Sequence, residues 1–404
     1  MLADDGFLNF SNMNFDVSEG QVKILEQVDR ACREIRPIED RCYLEGKIND
    51  QVRPIFAKAH LLGLPITPRY GDGTGVDTIT NALAMERIGR EGVGPMTFFS
   101  VHSILCQMTV LRWGTDEQKA RLLPPATRGD SILAFGLTEP NAGSDPASLT
   151  TQFEEKGGAF ALSGQKTWIS LGSTAKYVLI FAYPKGEQEG MCAFVVDTDS
   201  AGFKAEPIKH KMGLPTSDTS TLYLDGVEVP KDNLLGPRGK GMSVALSGLM
   251  NGRLAIAAGC VGIAQDCFDE SIEHERLHRR KPVPGRQPID RHIALMSANL
   301  EAAKLLVLRA AFLKQKYEKT TTNLEQRRAA DLAITEAKYF ASNVSFDTAS
   351  RAMQILGVNE NALESRPARH FADARVTMIY EGTNEILEQK MAHDSLGQGF
   401  ETFS

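Results

Sequence analysis

The sequence predicts an α+β protein built from three consecutive domains. An N-terminal α-helical domain (residues 1–130) precedes a middle β-barrel or β-sandwich domain (131–237) and a C-terminal four-helix bundle (238–404). Two changes of hydrophobic period carry this prediction. Apolar residues recur every three or four positions up to about Leu123, form short strand-like runs from about Ser131 to Pro230, and return to the helical period from Gly239. No strand-then-helix alternation occurs, which disfavours a doubly wound nucleotide-binding fold.

The first domain is predicted to be a series of helices. The apolar positions from Val22 to Ile35 define the first helix, which we expect to stop at Pro37 because proline lacks an N–H and clashes with the preceding turn. The others are a helix over Val52–Leu62, a helix from an N-cap at Asp77 to Gly89 or Gly92, a buried helix over Phe98–Trp113 and a helix capped by Thr115.

The middle domain is predicted to be all-β and made of hairpins. Its short apolar runs are rich in β-branched or aromatic residues and are separated by Gly, Pro, Asp and Lys. These runs are Phe160–Gly164, Tyr177–Tyr183, Met191–Val196 and Thr221–Leu224.

Long, Ala-rich helical patterns fill the last domain, which begins after the Gly236–Gly241 boundary. They cover Leu246–Gln265 and on toward Glu275, Ile293–Leu306, Leu324–Leu356 up to Gly357, and a last helix opening near Glu385. Such helices suit a tightly packed four-helix bundle.

The composition excludes several classes of function. With 42% hydrophobic and 24% charged residues and a net charge of −6, the chain has no dense basic tract, so we expect no nucleic-acid partner. The six cysteines never form a CxxC pair, which is typical of reduced core thiols rather than a metal site or disulfide framework. The acidic N-terminus does not look like a targeting peptide, and we see no apolar run approaching the ~18 residues of a membrane span. We therefore expect a cytoplasmic protein without a membrane partner.

Three stretches carry candidate chemistry. In Ile379–Ile386, Glu381 lies between an aromatic residue and Gly382, where a carboxylate can take a proton from a closely approaching ligand. Phe135–Asp145 packs small residues, hydroxyls and a carboxylate into the entry of the β domain. In Gln165–Gly172, a Trp followed by a β-branched residue and a Ser can support an aromatic ligand. Taken singly, each has a plain alternative: a helix-end turn, an interdomain loop and a core Trp.

Together, in this order within an α–β–α chain, the three stretches resemble the acyl-CoA dehydrogenase family of flavoproteins. The resemblance covers nearly the whole chain. Its signatures are Leu137–Asp145, Lys211–Gly213 with Asp225–Pro230, Ile256–Gln265, Met353–Gly357 and Ile379–Ile386.

The resemblance implies an FAD site. Phe135, Leu137, Thr138, Gly143 and Ser144 would lie along the flavin, with Ser144 also near the thioester. Trp168, with Ile169 beside it, would flank the ring system, and Ser170 would reach flavin N5. At the far end of the cofactor, Arg276 would bind the pyrophosphate of a neighbouring subunit's FAD, helped by Gln287 and by the turn from Gln354 to Gly357. Thr383 and Asn384 would contact FAD on the side of the base.

The resemblance also implies the reaction. Glu381 matches the family's base, which removes the α-proton of an acyl-CoA thioester while the β-hydride passes to flavin N5, leaving a trans-2-enoyl product. Arg253 and Gly382 would contact the substrate. The backbone N–H of the base and a ribityl hydroxyl of the flavin would polarise the thioester carbonyl. Some members place the base directly before this arginine, where this chain has Gly252, which cannot serve.

Other points stay open at the level of sequence. Arg279 and Arg280 replace a Phe-Gly pair of the family, and either bind phosphates or are solvated. Met96 replaces the carboxylate-binding arginine of dicarboxyl members, which argues against a glutaryl-type substrate. Phe98 and Phe99 either shape the acyl pocket or belong to the core.

We expect electron-transfer flavoprotein as the electron acceptor, and the protein to be a homotetramer or homodimer. The alternatives are an acyl-CoA oxidase, an acyl-carrier-protein-linked dehydrogenase and a catalytically silent binding relative.

Overall fold

The computed structural model describes residues 16–278, 287–320, 323–358 and 362–396. The described part of the first domain contains six helices and one π-helical segment, Ser100–Cys106, between the fourth and fifth helices. The helices are α1 (Glu19–Glu45), α2 (Val52–Lys58), α3 (Thr78–Gly89), α4 (Val93–Phe99), α5 (Gln107–Trp113) and α6 (Asp116–Arg128).

Two predicted helix ends in this domain are wrong. Helix α1 continues through Pro37 to a left-handed C-cap at Gly46, because its buried face, including Ile35 and Tyr43, continues beyond the proline. Packing of that face therefore outweighs the hydrogen bond that proline removes. Helix α2 ends at Lys58, four residues before the predicted end, and the chain then turns through His60 with φ of 50°.

The predicted N-caps are confirmed. The Asp77 side chain accepts from the Thr80 N–H, and Thr115 forms a complete capping box with Gln118. The buried helix predicted over Phe98–Trp113 is present, but it spans the end of α4, the π-helical segment and α5. The wider π turn has no signature in the sequence, and such turns often lie at functional sites.

The middle domain forms an eight-stranded sheet in the order β6-β7-β3-β2-β4-β5-β8, with β1 paired to β4. The strands are β1 (Leu133–Gly136), β2 (Gln152–Lys156), β3 (Ala159–Ser170), β4 (Tyr177–Pro184), β5 (Cys192–Asp197), β6 (Phe203–Pro207), β7 (Thr219–Pro230) and β8 (Leu234–Leu235). A domain made only of hairpins is therefore wrong, because β1 and β2 both pair parallel to β4.

Five helices form the C-terminal domain among the described residues: α7 (Gly241–His278), α8 (Gln287–Thr320), α9 (Leu324–Leu356), α10 (Arg366–Thr377) and α11 (Asn384–Leu396). Helix α10 was not predicted from the sequence. Its segment is mostly polar, although proline in the first turn at Pro367 is a common helix start.

Helix α7 is the centre of the molecule and packs against α3, the π-helical segment, α8, α9 and α10. The sequence predicted no membrane span, but by length and composition alone α7 could cross a membrane. However, 78% of that apolar window is buried inside the fold, and the core helix of a soluble protein passes the same test. The three-domain architecture thus brings helix α10 and the β domain against one central helix.

Candidate active site

The loop between α10 and α11 holds Glu381 in an unusual backbone conformation. Glu381 has φ of 55° and Gly382 has φ of 95°, so two consecutive residues lie at positive φ. For a glutamate this conformation costs free energy and persists only where the surroundings hold it. The Asn384 N–H closes the turn on the Met378 carbonyl at 3.0 Å, and Arg253 Nε donates to the Glu381 carbonyl at 3.0 Å.

A buried lysine that the sequence analysis missed ties this loop to α9. Lys338 is 0% exposed, and its Nζ donates to the Gly382 carbonyl at 2.7 Å and to Asn384 Oδ1 at 3.2 Å. Ser342 Oγ donates to the same Asn384 oxygen at 3.1 Å. The signal was present in the sequence: Lys338 falls on the apolar stripe of α9, between the buried residues Ile334 and Ala341.

The Glu381 carboxylate lies directly against α7 at Gly252. A Cβ atom built on Gly252 would be 2.4 Å from Glu381 Oε1, so the absence of a side chain there makes room for the acid. The two positions at which the resemblance places a base therefore lie side by side. Glu381 Oε2 is buried and has no hydrogen-bond partner among the described residues.

The environment of this carboxylate changes its acidity. Burial raises the pKa of Glu381 to about 7, and the positive charges of Arg253 and Lys338 limit the rise. A carboxylate with a free oxygen and a pKa near neutrality is well suited to accept a proton from a bound ligand.

The loop after β1 is fixed from beneath by a buried ion pair. Lys166 Nζ contacts Glu139 Oε1 at 2.7 Å and the Leu137 carbonyl at 3.2 Å. Burial raises the pKa of Glu139, but the charge and hydrogen bond of Lys166, together with hydrogen bonds from Thr151 and Thr150, outweigh it and bring the pKa down to about 2. The Thr138 carbonyl also accepts the Thr167 N–H at 2.9 Å. Gly143 and Ser144 are exposed further along the same loop.

Phe135 connects this loop to the base. Its ring is buried against Phe181 at 4.8 Å between centroids. On its other side, Phe135 Cε2 would lie 3.4 Å from a Cβ on Gly248, one helical turn before Gly252. The loop and the carboxylate thus meet neighbouring turns of α7.

Trp168 is not a core residue. It is 59% exposed with φ of 56°, at an irregularity in the pairing of β3 with β7, whereas the next residue, Ile169, is buried at 2%. Ser170 is half-buried at the end of β3. A tryptophan at positive φ costs free energy, and such strained residues cluster at active sites and ligand-binding sites.

Three domains of one family match this chain in order. The acyl-CoA dehydrogenase N-terminal domain matches residues 18–130, the middle domain 134–227 and the C-terminal domain 239–396. The chain belongs to the acyl-CoA dehydrogenase family. It is an oxidoreductase of that family, and FAD is its cofactor.

Relatives and solved structures agree. The chain is 34% identical to an acyl-CoA dehydrogenase of Bacillus subtilis, covering 92% of this chain and 96% of that one. It is also 34% identical to a caffeyl-CoA reductase–Etf complex subunit of Acetobacterium woodii, over 86% and 90% of the two chains. Butyryl-CoA dehydrogenase from Megasphaera elsdenii has a TM-score of 0.87 at 29% identity, covering 95% and 100%. An acyl-CoA dehydrogenase complexed with FAD from Bacillus anthracis has a TM-score of 0.84 at 29% identity, covering 94% and 67%.

Two observations show that the residues of this acyl-CoA dehydrogenase fit FAD. The exposed Trp168 offers an uncovered aromatic face, and Asn384 Nδ2 is a buried donor without an acceptor among the described residues. Asn384 adjoins Thr383, whose Oγ1 accepts the Ile386 N–H at 3.3 Å at the start of α11. The contacts of individual residues with the cofactor remain predictions.

The residues predicted for the far end of FAD lie at or near the ends of three helices. Arg276 is in the last turn of α7, Gln287 begins α8, Gln354 is in the last turn of α9 and Gly357 is its C-cap. The same three helices share a small core that includes Cys267, Met296, Ala352 and Ile355. Arg276, Gln287 and Gln354 are exposed, and Gly357 has φ of 82°. Arg279 and Arg280 lie outside the described residues, as do residues 359–361 of the neighbouring turn.

The aromatic pair of the acyl-pocket region has different environments. Phe99 is fully buried and packs edge-on against Phe56 at 5.8 Å, which supports the core interpretation. Phe98 is partly buried, with its ring 5.7 Å from that of His102. Met96 is buried against Gly259 of α7.

Proposed function

We propose that this enzyme converts an acyl-CoA thioester to the trans-2-enoyl-CoA, with Glu381 removing the α-proton. The observation that carries the proposal is the position of its carboxylate. One oxygen is buried and has no hydrogen-bond partner in the part of the chain that the structure describes, and the acid lies on a loop held by Arg253 and Lys338 beside Gly252 of α7.

The protein's own groups account for the acid–base half of the reaction. Burial keeps the carboxylate poorly solvated, so the ionised form is a stronger base than an exposed glutamate. The hydrogen bond from Arg253 fixes the backbone on one side of the acid, and the hydrogen bond from Lys338 fixes the next peptide. Together they hold the proton acceptor in one place, which is the main requirement for an efficient transfer.

FAD, when bound, supplies the acceptor for the β-hydride. Phe135, Leu137 and Thr138 on the loop after β1, and Trp168 with Ser170 at the end of β3, would hold its ring system. The Lys166–Glu139 ion pair beneath the loop would hold the loop, and with it these side chains, in a fixed position.

The test is an anaerobic titration with a panel of acyl-CoA thioesters, followed by loss of flavin absorbance. We expect at least one saturated thioester to reduce the flavin of the wild type. Glu381→Gln should bind FAD and thioester but lose the reduction. Exposed Glu364, just before α10, gives the matched control: Glu364→Gln should behave as wild type. Full activity of Glu381→Gln would refute the assignment of the base.

We further propose electron-transfer flavoprotein as the electron acceptor. The match to a subunit of a caffeyl-CoA reductase–Etf complex supports this partner. Reduction of purified electron-transfer flavoprotein, with little peroxide formed in air, would support it, and rapid peroxide formation would favour an oxidase.

We also propose a homodimer or homotetramer and a cytoplasmic location. Arg276 lies 23 residues beyond Arg253 on α7, which is roughly 35 Å of helix. This distance from the loop of the base supports the oligomer, since the cofactor that Arg276 contacts would then belong to a neighbouring subunit. Light scattering of the holoenzyme tests it, and a monomer with full FAD content would refute it.

A further inference from the structure

The β domain meets the helices through the loop between β6 and β7. Residues 208–218 form this loop, which we call the latch loop, and the Ile208 N–H closes its base on the Thr219 carbonyl at 2.8 Å. His210 and Leu214 both have φ of 57°, so two non-glycine residues of the loop lie in the left-handed region. Such conformations persist only where the surroundings hold them, and they cluster at ligand-binding and switch regions.

One end of the latch loop is bonded to the flavin side of the site. The Asp218 carbonyl accepts the Leu171 N–H at 3.0 Å, and the Asp218 carboxylate accepts the Ser173 N–H at 3.0 Å. Both donors come directly after residues 168–170, the strand end that would flank the flavin ring. The latch loop therefore fixes the backbone that follows Trp168.

The middle of the latch loop packs against the helices. The Leu214 side chain belongs to the core that the helices of the first and last domains share. Gly213 lies against the backbone of α10, because a Cβ there would be 2.7 Å from the Ala372 carbonyl oxygen. Helix α10 ends at Thr377, four residues before Glu381. The latch loop thus joins the flavin-side strand end to the helix that leads to the base.

Two buried carboxylates hold the latch loop to these helices. Asp373 of α10 accepts the Leu214 N–H at 2.7 Å, and Glu39 of α1 accepts the Thr216 hydroxyl at 2.6 Å. Glu39 is 3% exposed and Asp373 is 2% exposed. In the described part of the chain, all of the groups that donate hydrogen bonds to these carboxylates are neutral. A buried carboxylate without a bonded cation is costly in its ionised form.

The surroundings of the pair do not supply a free cation among the described residues. Both carboxylates line one cavity of about 10 Å³, which is room for about one water. Arg366 and Arg369 both donate to Asp40, and Lys211 donates to the Ser217 carbonyl. The titratable and charged groups that face or adjoin the pair are Asp40, Cys42 and Tyr43 on α1, Glu91 before α4, Lys211 in the latch loop, Asp266 on α7, Arg366, Arg369 and His370 on α10, and Tyr380 after α10.

This environment favours the protonated forms of both acids. Burial, together with the charges of Asp373 and Asp40, raises the pKa of Glu39 to about 7. Burial also raises the pKa of Asp373 to about 6, and the hydrogen bonds that it accepts and the charge of Arg369 limit the rise. The closed loop therefore binds protons more tightly than an open, hydrated one does. Its stabilisation is fully present at low pH and is lost as the pH rises through 6 to 7.

We propose that the latch loop responds to pH: it is held to α1 and α10 while Glu39 and Asp373 are protonated, and it opens more readily once both are ionised. Ionisation places two like charges in one dry junction, and opening of the loop lets water reach them. At higher pH the flavin-side strand end and α10 are then joined less firmly. The inference concerns the fold and does not depend on which thioester the enzyme takes.

Hydrogen–deuterium exchange of the FAD-loaded wild type at pH 6 and pH 8, read by peptide mass spectrometry, measures the opening of the latch loop. After correction for the intrinsic exchange rate, we expect the protection of residues 208–218 to be about 10-fold lower at pH 8. This is about the factor for a carboxyl whose pKa is about 7 in the closed loop and 4.5 in the open one. Strand β4 of the same domain is the internal control, and its protection should not change.

Three variants assign the effect to the two carboxylates. Glu39→Gln should remove most of the pH dependence and raise the Tm relative to the wild type at pH 8 but not at pH 5.5. Asp373→Asn keeps an acceptor for the Leu214 N–H and should remove a smaller part, about twofold. Glu26→Gln, at an exposed position of α1, is the matched control and should follow the wild type.

Three results would overturn the inference. One is equal protection of residues 208–218 at both pH values in the wild type, and another is an unchanged pH dependence in Glu39→Gln. The third is a loss of protection that β4 shares equally, because the whole protein and not the latch loop would then be loosening. Neither readout uses the reaction, so the latch loop and the proposed function are tested separately.

Discussion

Gly252→Ala tests the position of the base without changing the base itself. The added Cβ would lie 2.4 Å from Glu381 Oε1 and 2.7 Å from its Cδ, where ordinary contact begins near 3.4 Å. The carboxylate would have to move by about 1 Å, and a displacement of that size can cost roughly 100-fold in rate, or about 2.7 kcal/mol of barrier. We therefore expect kcat to fall about 100-fold.

The fold should tolerate the change. The clash involves the far end of a flexible side chain, and alanine favours a helix over glycine by roughly 0.5–1 kcal/mol. We expect full FAD content and a Tm no lower than that of the wild type. Gly20→Ala, in the first turn of α1, is the control, because its nearest neighbour is Ser18 Oγ at 4.0 Å. A Gly252→Ala enzyme with kcat within about threefold of the wild type would show that the carboxylate position does not limit the reaction.

Three further predictions concern the supports of the site. First, kcat/KM should rise with pH through about 7, where Glu381 ionises. Lys338→Met should shift this rise to higher pH and lower kcat about 10-fold, because a nearby cation and two hydrogen bonds are lost. If kcat/KM of the Lys338→Met variant rises at the same pH as that of the wild type, this role of Lys338 is contradicted. Second, Trp168→Ala should lower the flavin-to-protein ratio but not the Tm of the apoprotein, because the ring is 59% exposed. Full flavin occupancy in the variant would contradict this prediction. Third, Lys166→Met should lower the unfolding free energy by about 3–5 kcal/mol, because Glu139 is left buried without its cation. Urea unfolding measures this loss, and a loss below about 1 kcal/mol would refute the prediction.

The sequence allowed correct predictions where the cause is local. The caps at Asp77 and Thr115 follow from side chains that bond within three residues of themselves, so both helix starts could be identified. Helix α1 shows the limit. Pro37 is a local stop signal, but the helix continues because residues on both sides bury one apolar face against the rest of the domain.

Pairings between distant segments could not be read in the same way. The short runs of the β domain were recognised as strands, yet the parallel pairing of Leu133–Gly136 with Tyr177–Ile180 joins segments more than 40 residues apart. Alternating or apolar patterns identify a strand but do not specify its neighbour. The same holds for Lys338, whose partners Gly382 and Asn384 lie more than 40 residues further along the chain.

The basicity of Glu381 illustrates why a motif alone was insufficient. Its neighbours in sequence supply the carboxylate and the flexible Gly382, but an exposed glutamate would have an ordinary pKa and would be a weak base. Burial against Gly252 would, without compensation, keep the acid protonated near neutrality. Arg253 on α7 and Lys338 on α9 limit that effect and bring the pKa to about 7, while each also bonds the backbone beside the acid. The same two cations thus set both the position and the protonation of the base. Replacing either one should therefore change the rate and its pH dependence together, rather than one without the other.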